Sequence, residues 1–325
     1  MSTEESSAVD DVSIAAGVSV ERPWALLVLA GFWGWLSSRW INDFLLPDSI
    51  AVSSERSFVP VDPVAAAAET LGSVAAALGP VGAPIDMVAS LVGFVAGSLP
   101  HLPALARGAW LTLLLTVAGI GFGFVLAVPL SVGRVYGGRW LRWLSLSYTE
   151  LIRGTPLLAQ LFVLYFGLPL TQVIRELPGV GAGPLPAQAF WVAVVGFTLN
   201  SAAYQAEYIR SALESVDAGQ LTAARAVGLS RLEGIRYVVL PQGLRYAIPG
   251  WSNELIYLIK YSSLAAFITV RELFFRAEAI ANDTFRYTEL FLLAALFYLA
   301  LVLSASVAMG WVEERSSVPG VGGRR

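Results

Sequence analysis

Thr222-Ala-Ala-Arg-Ala-Val-Gly228-Leu-Ser-Arg-Leu-Glu-Gly-Ile-Arg-Tyr-Val-Val-Leu-Pro241 is a compact basic segment inside an otherwise oily chain. Ala223, Ala224 and Ala226 favour a short helix of low profile. Gly228 suits the left-handed position that ends many helices. Ser230, with Glu233 three residues on, spells a capping box that starts a second helix at Arg231. Leu232, Ile235, Arg236 and Val239 fall at i, i+3, i+4 and i+7, giving that helix one mostly apolar face. Pro241 is expected to end it, because it disfavours helical geometry at Leu240. Two short helices joined at an angle result. The small side chains of the first would let another protein approach its backbone.

The rest of the chain explains where such a segment sits. Hydrophobic residues make up 56% of the 325 and charged residues only 14%, with a mean hydropathy of +0.66. Soluble domains carry about a quarter charged residues, so the composition points to a membrane protein. A net charge of −3 does not suit nucleic acid. With no cysteine, disulfides, thiolate metal sites and cysteine nucleophiles are excluded. The one histidine, His101, lies between prolines and reads as a solvent-facing loop residue. No metal site is expected, and no catalytic residue.

Charge-free intervals locate the spans, since a crossing helix needs about 20 mostly apolar residues. Four stand out: Arg107 to Arg134, Arg153 to Arg175, Glu176 to Glu207 after a Pro/Gly-rich loop at Pro178–Pro186, and Glu289 to Glu313. A fifth, about 246–270, contains Glu254 and Lys260, and a sixth runs from Trp24 to about Trp40 between tryptophans. Arginines cluster in alternate loops, at 134–142, 225–245 and 315–325. Those loops, and both termini, are therefore expected in the cytoplasm. The chain divides into an acidic tail 1–22 without the basic start of a signal peptide, an N-terminal helix 23–46, an external Ala/Gly-rich segment 47–103, a membrane domain 104–315 with its cytoplasmic loop 217–242, and a tail 316–325. Gly119 and Gly123 suggest close helix packing. No phosphate-binding loop occurs, so the chain is not expected to hydrolyse nucleotide.

The cytoplasmic segment resembles the coupling loop of the permease subunits of ABC importers, whose pattern is Glu-Ala-Ala, three residues, Gly, nine residues, Ile, any residue, Leu-Pro. Ala223, Ala224, Gly228, Leu240 and Pro241 match in spacing. Thr222 stands where glutamate is usual and Val238 where isoleucine is usual. Glu150-Leu-Ile-Arg-Gly-Thr-Pro-Leu-Leu-Ala-Gln-Leu-Phe-Val-Leu-Tyr-Phe-Gly-Leu-Pro169, Ala203-Tyr-Gln-Ala-Glu-Tyr-Ile-Arg210 and Leu240-Pro-Gln242 resemble the polar-amino-acid branch of the same family. Lys260-Tyr-Ser-Ser-Leu264 does so with departures at Tyr261 and Ser262. The resemblance implies an all-α integral membrane protein with a MetI-like core of five transmembrane helices, here preceded by one more. It also implies a second permease of the same or a sister kind, ATPase subunits that use the ATP, an extracytoplasmic substrate-binding protein and an amino-acid substrate. Coupling to the ATPase would fall to Ala223, Ala224, Gly228, Ser230, Glu233, Leu240 and Pro241.

Ionisable groups at membrane depth face protein or a water-filled path. Asn253 and Lys260 share a helix face two turns apart. The ammonium is placed to meet a substrate carboxylate, or to pair with Glu254 or Glu272 and hold a gate; a structural ion pair is the alternative. Asn200, Tyr204 and Glu207 form one stripe on another span, as pathway lining or as interhelical hydrogen bonds. The rival reading is an ion-driven secondary transporter without an ATPase partner, although no pair of matching interrupted spans supports it.

Overall fold

The computed structural model describes residues 23–47, 49–53, 55–181 and 186–316. The acidic tail 1–22, the terminal arginines and part of the Pro178–Pro186 loop lie outside the described residues. Among those described, every regular element is helical. Helix α1 spans Pro23–Phe44, a turn longer than its tryptophan borders suggest. The Ala/Gly-rich segment forms a hairpin of α2 (Val61–Ala77) and α3 (Ala83–Ser98), closed by a 3-10 turn at Gly79–Gly82.

Next comes α4 (Leu102–Tyr136), whose 35 residues make about 52 Å of helix, longer than the roughly 30 Å hydrocarbon core. The interval from Arg153 to Arg175, read as one span, is broken. It holds the end of α5 (Arg139–Arg153), then α6 (Leu157–Phe162), a π turn at Val163–Gly167 and α7 (Leu170–Arg175). Pro156 and Pro169 stand at the breaks, where the missing N–H and fixed φ stop a helix. The next span is α8 (Gln188–Ser215). After the basic segment 217–242 come α12 (Ile248–Tyr261), a 3-10 stretch Ser262–Ile268, α13 (Leu273–Thr284) and α14 (Tyr287–Ser316). Among the described residues, two helical runs are long and apolar enough to cross a membrane, Gly79–Tyr136 and Tyr287–Ser316.

Helices α4 and α8 form the spine. A Cβ on Gly119 would lie 3.0 Å from Phe197 Cβ, and one on Gly123 would lie 3.1 Å from Ala202 N. The two backbones therefore touch where the sequence placed its pair of glycines, and both helices run in the same direction. One apolar cluster joins α4, α6 and α8, a second joins α1, α4, α13 and α14, and a third packs the opposite end of α8 with Val239 and Ala247.

Composition gave no hint of how α1 is tied down. Arg39, 1% exposed, pairs with Asp43 at 2.8 Å and donates to the carbonyls of Arg56 and Ser53. Its guanidinium also lies 5.1 Å from the Phe58 ring centre. Asn42 exchanges two 2.8 Å hydrogen bonds with the Val52 backbone. A buried charge needs this full set of partners to offset its desolvation. The pairing folds the loop after α1 back onto the helix end.

Candidate functional site

The basic segment 217–242 is a helical hairpin with its own internal packing. Asp217 caps helix α9 (Ala218–Ala226), its carboxylate accepting the Gly219 N–H at 2.7 Å. The helix ends as expected at Gly228, where φ is +95°. Leu229 N–H bonds Ala224 O and Gly228 N–H bonds Arg225 O, the paired closure of a Schellman motif. Both halves of the capping box are made: Glu233 N–H donates to Ser230 Oγ, and Ser230 N–H donates to Glu233 Oε2 at 2.8 Å. Those hydrogen bonds from Ser230 hold the Glu233 carboxyl below the usual carboxylate range.

Three sequence expectations need correction here. First, Pro241 does not end the second helix. Helix α10 (Arg231–Gly234) passes into a π turn at Ile235–Val239 and on through α11 (Leu240–Tyr246). Leu240 N–H reaches back five residues to Ile235 O, and the wider turn accommodates the proline that follows. Second, the π turn changes the register, so the Leu232, Ile235, Arg236 and Val239 stripe splits. Ile235 and Val239 are buried, while Leu232 is 71% exposed and Arg236 faces solvent. Third, Ala224 is no part of an open surface. It is 5% exposed and packs on Gly234, where an added Cβ would lie 3.3 Å from the Cβ of Ala224. Ala223 and Thr222 are exposed. The free apolar surface comes from Val227, 79% exposed, together with Leu232 and Tyr237, among Arg225 and Arg236. Arg231 ties the hairpin to the end of α4 by donating to Tyr136 O at 3.1 Å.

Helical hydrogen bonding continues beyond this hairpin. Ala247 N–H bonds Gly243 O, and Trp251 N–H bonds Ala247 O, so α11 runs directly into α12. On α12, facing α8, lies a cavity of about 320 Å³ lined by Asn200, Tyr204, Tyr208, Glu254, Tyr257 and Tyr261. Glu254 is 3% exposed and lines the cavity from α12. Asn200 donates to Gln160 Oε1 at 3.2 Å, which links the cavity wall to α6.

Two members of the expected stripe, Asn200 and Tyr204, do line this space. Glu207 does not: Arg210 holds it in an ion pair and Arg153 stands 4.0 Å away. Arg153 also lies over the Tyr204 ring at 5.4 Å. Asn253 is exposed and is not among the residues that line it. Lys260 pairs with neither Glu254 nor Glu272. It is exposed, with Nζ 4.7 Å from the Tyr257 ring centre, at the rim where Tyr257 stacks on Tyr261. Glu272 instead caps α13, where it is fully buried. Glu254 is the residue that sequence reasoning cast only as a partner for Lys260. Its place beside Asn253 in a span was the available signal, because a carboxyl at that depth requires a polar neighbourhood.

Comparisons with known proteins agree on one family. Residues 119–318 match the model described as binding-protein-dependent transport system inner membrane component. The chain is 38% identical over 218 residues to a probable amino-acid ABC transporter permease, YckA of Bacillus subtilis, covering 67% of this chain and 91% of that one. It is 36% identical to the glutamine transport system permease GlnP of Escherichia coli, covering 67% and 95%. A crystal structure of an amino acid ABC transporter with histidines aligns at TM-score 0.57 and 31% identity, over 67% of this chain and 97% of that one. An inward-facing MetNI methionine transporter, 22% identical with TM-score 0.58, shares the fold over 67% and 99%. The hairpin, the α4–α8 spine and these matches together show that the chain belongs to the binding-protein-dependent inner membrane components, the permease subunits of ATP-binding-cassette importers.

Proposed function

We propose that this permease carries polar amino acids along the flank of α8 and α12, and that its cytoplasmic hairpin takes the stroke from an ATPase subunit. The supporting observation is the unbroken helical path from Arg231 to Tyr261. Its first turns carry the exposed Leu232 and Tyr237, and its last carry Glu254, Tyr257 and Tyr261 of the cavity. A push on the hairpin is therefore delivered to the cavity wall by one rigid element, with no loop between to absorb it. Alternation of the bundle between two arrangements then follows from different contacts in each.

In this reading the core has five spans preceded by α1, with both termini in the cytoplasm. A second permease, identical or a sister chain, lies against the exposed Asn253, Tyr257 and Lys260 side. A substrate-binding protein delivers from outside, and the ATP is used on the partner. Glu254 and the tyrosine hydroxyls offer acceptors and donors suited to a zwitterion, with the Lys260 ammonium at the rim for its carboxylate.

The test is reconstitution with the cognate ATPase and binding protein, following uptake of labelled glutamine and histidine. Uptake should require ATP. Uptake that survives without ATP and collapses with an ionophore would establish the ion-driven alternative. Lys260→Met should change unfolding by no more than about 1 kcal/mol, the weight of an exposed cation–π contact. Its substrate KM should nevertheless rise; an unchanged KM would leave Lys260 a purely structural role.

A further inference from the structure

We propose that the α2–α3 hairpin is an arm that pairs with the same arm of a second copy of this chain, along a stripe of α3 made of Val81, Met87, Val88, Leu91 and Val95. The arm stands off the bundle. Helix α3 passes through a 3-10 turn at Leu99–His101 into α4, and the backbone at Ser98, Leu99, His101 and Leu102 keeps right-handed helical angles. The helical run from Gly79 to Tyr136 has 58 residues. That is about 87 Å if straight, twice the roughly 40–45 Å of a bilayer with its headgroups. Its Tyr136 end meets the 217–242 hairpin through Arg231, so α3 emerges at the opposite end. The base of the arm is fixed to the start of α14, where Arg286 donates to Gly97 O at 3.4 Å. Lipid does not reach a stripe placed so far beyond the bundle.

Helix α3 carries two seams. Gly82, Ala89 and Ala96 recur every seven positions and are buried; a Cβ on Gly82 would run into the Ala75 carbonyl of α2. Shifted by one residue, Val81, Val88 and Val95 also recur every seven, with Leu91 between the last two and Met87 beside Val88. These larger side chains are the ones left out, at 80, 46, 49, 57 and 66% exposed in that order. With valines at a and Leu91 at d, the stripe has the residue choice that favours two parallel strands. Pro84, the other d position, falls in the first turn of α3, where a proline fits. Two copies in one membrane present α3 in the same direction, so a two-fold axis along the membrane normal sets each stripe residue against itself. The five side chains expose roughly 500 Å² on each copy, and a pair reaches the about 1,000 Å² of a specific interface. The charges between Arg56 and Arg107 are Asp62 and Glu69 on α2 and Asp86 at f. None of them lies at a or d. Helical units of under about 40 residues usually need disulfides, metals or oligomerisation. The arm, residues 61–98, has no cysteine, and no cluster of metal-ligating side chains occurs among the described residues.

The arm precedes the 119–318 stretch matched by the family. The inference rests on the pairing of permeases proposed above, and it selects an identical copy over a sister chain that lacks the arm. Oxidation of Leu91→Cys in native membranes tests it, since the chain has no other cysteine. Chains should link in pairs at least about tenfold faster than with Ala67→Cys on the exposed side of α2, because a seam holds two thiols at high effective concentration. Adding Leu91→Asp to Val88→Cys should slow the linking of Val88→Cys by a similar factor, as two carboxylates then face each other. Equal rates for Leu91→Cys and Ala67→Cys, or a product of any mass other than two copies, would overturn the arm pairing. Uptake read on the same vesicles separates the two proposals. ATP-dependent uptake without the link sinks the arm alone, and the link without ATP dependence sinks the transport reading alone.

Discussion

Gly234→Leu is expected to uncouple the permease, cutting ATP-driven uptake while the membrane bundle keeps its unfolding temperature. At Gly234 the second helix of the hairpin crosses the first. A Cβ there would lie 2.8 Å from Leu221 Cδ1 and 3.3 Å from Ala224 Cβ. Leu221 has a flexible end that can turn aside, so Gly234→Ala should be tolerated. A leucine adds three more carbons to a space already closed by Leu221 and Ala224, so α9 must lift off α10. Overpacking of this kind costs roughly 1–3 kcal/mol. If the packed hairpin is the form that docks, uptake falls by about tenfold to a hundredfold. The spine glycines of α4 and the buried side of α8 are distant from this change, so tryptophan-monitored unfolding of the bundle should stay put. A parallel loss of unfolding temperature would mean that the hairpin supports the fold rather than transmitting force.

The same contact decides which substitution probes docking itself. Read from sequence alone, Ala224 looked like an open, low-profile surface. Folded, it is an inner contact, and an acid placed there would break the hairpin before any partner was involved. Val227 and Leu232 are the appropriate positions, because both are largely exposed on the hairpin. An alanine in an amphipathic pattern is compatible with either side of its helix. Only the partner element, here a glycine ten residues on, settles the matter.

Other parts of the molecule divide in the same way. Local signals were readable: Gly228 ends its helix, Ser230 and Glu233 cap the next one, and Gly119 and Gly123 pack α4 on α8. Each depends on chemistry within a few residues, or on a contact that only small residues permit. Pro241 was misread because its effect depends on the turn before it, and a π turn has no residue signature to read. Glu254 was underweighted because its significance comes from Tyr204 and Tyr208, some fifty residues away, which build a cavity around it. Arg39 shows the limit most plainly. One arginine near the end of an apolar helix reads as an interfacial anchor. Its burial depends on a loop whose Ser53 and Arg56 carbonyls it collects.

Glu272→Ala should destabilise the bundle by about 3–7 kcal/mol. This carboxylate, 0% exposed, gathers four donors. Phe275 N–H reaches Oε1 at 2.8 Å, and Phe274 N–H reaches Oε2 at 3.0 Å. The Tyr298 hydroxyl of α14 donates at 2.7 Å and the Thr112 hydroxyl of α4 at 3.3 Å. The same Thr112 oxygen accepts the Leu273 N–H, so the start of α13 is locked to both long helices. Gly108, one turn before Thr112, allows the approach, since a Cβ there would sit 2.7 Å from Leu273 Cα. Alanine would strip the cap from α13, worth about 1 kcal/mol. It would also leave the buried Tyr298 and Thr112 hydroxyls without their acceptor, each at about 1–3 kcal/mol. Glu272→Gln keeps one acceptor oxygen but turns an amide N–H toward another donor, so it should recover about half of the loss. Thermal unfolding of the three proteins in one detergent reads this order directly. A Glu272→Ala midpoint within a degree or two of wild type would mean that water replaces the carboxylate, and that α13 is held by packing alone.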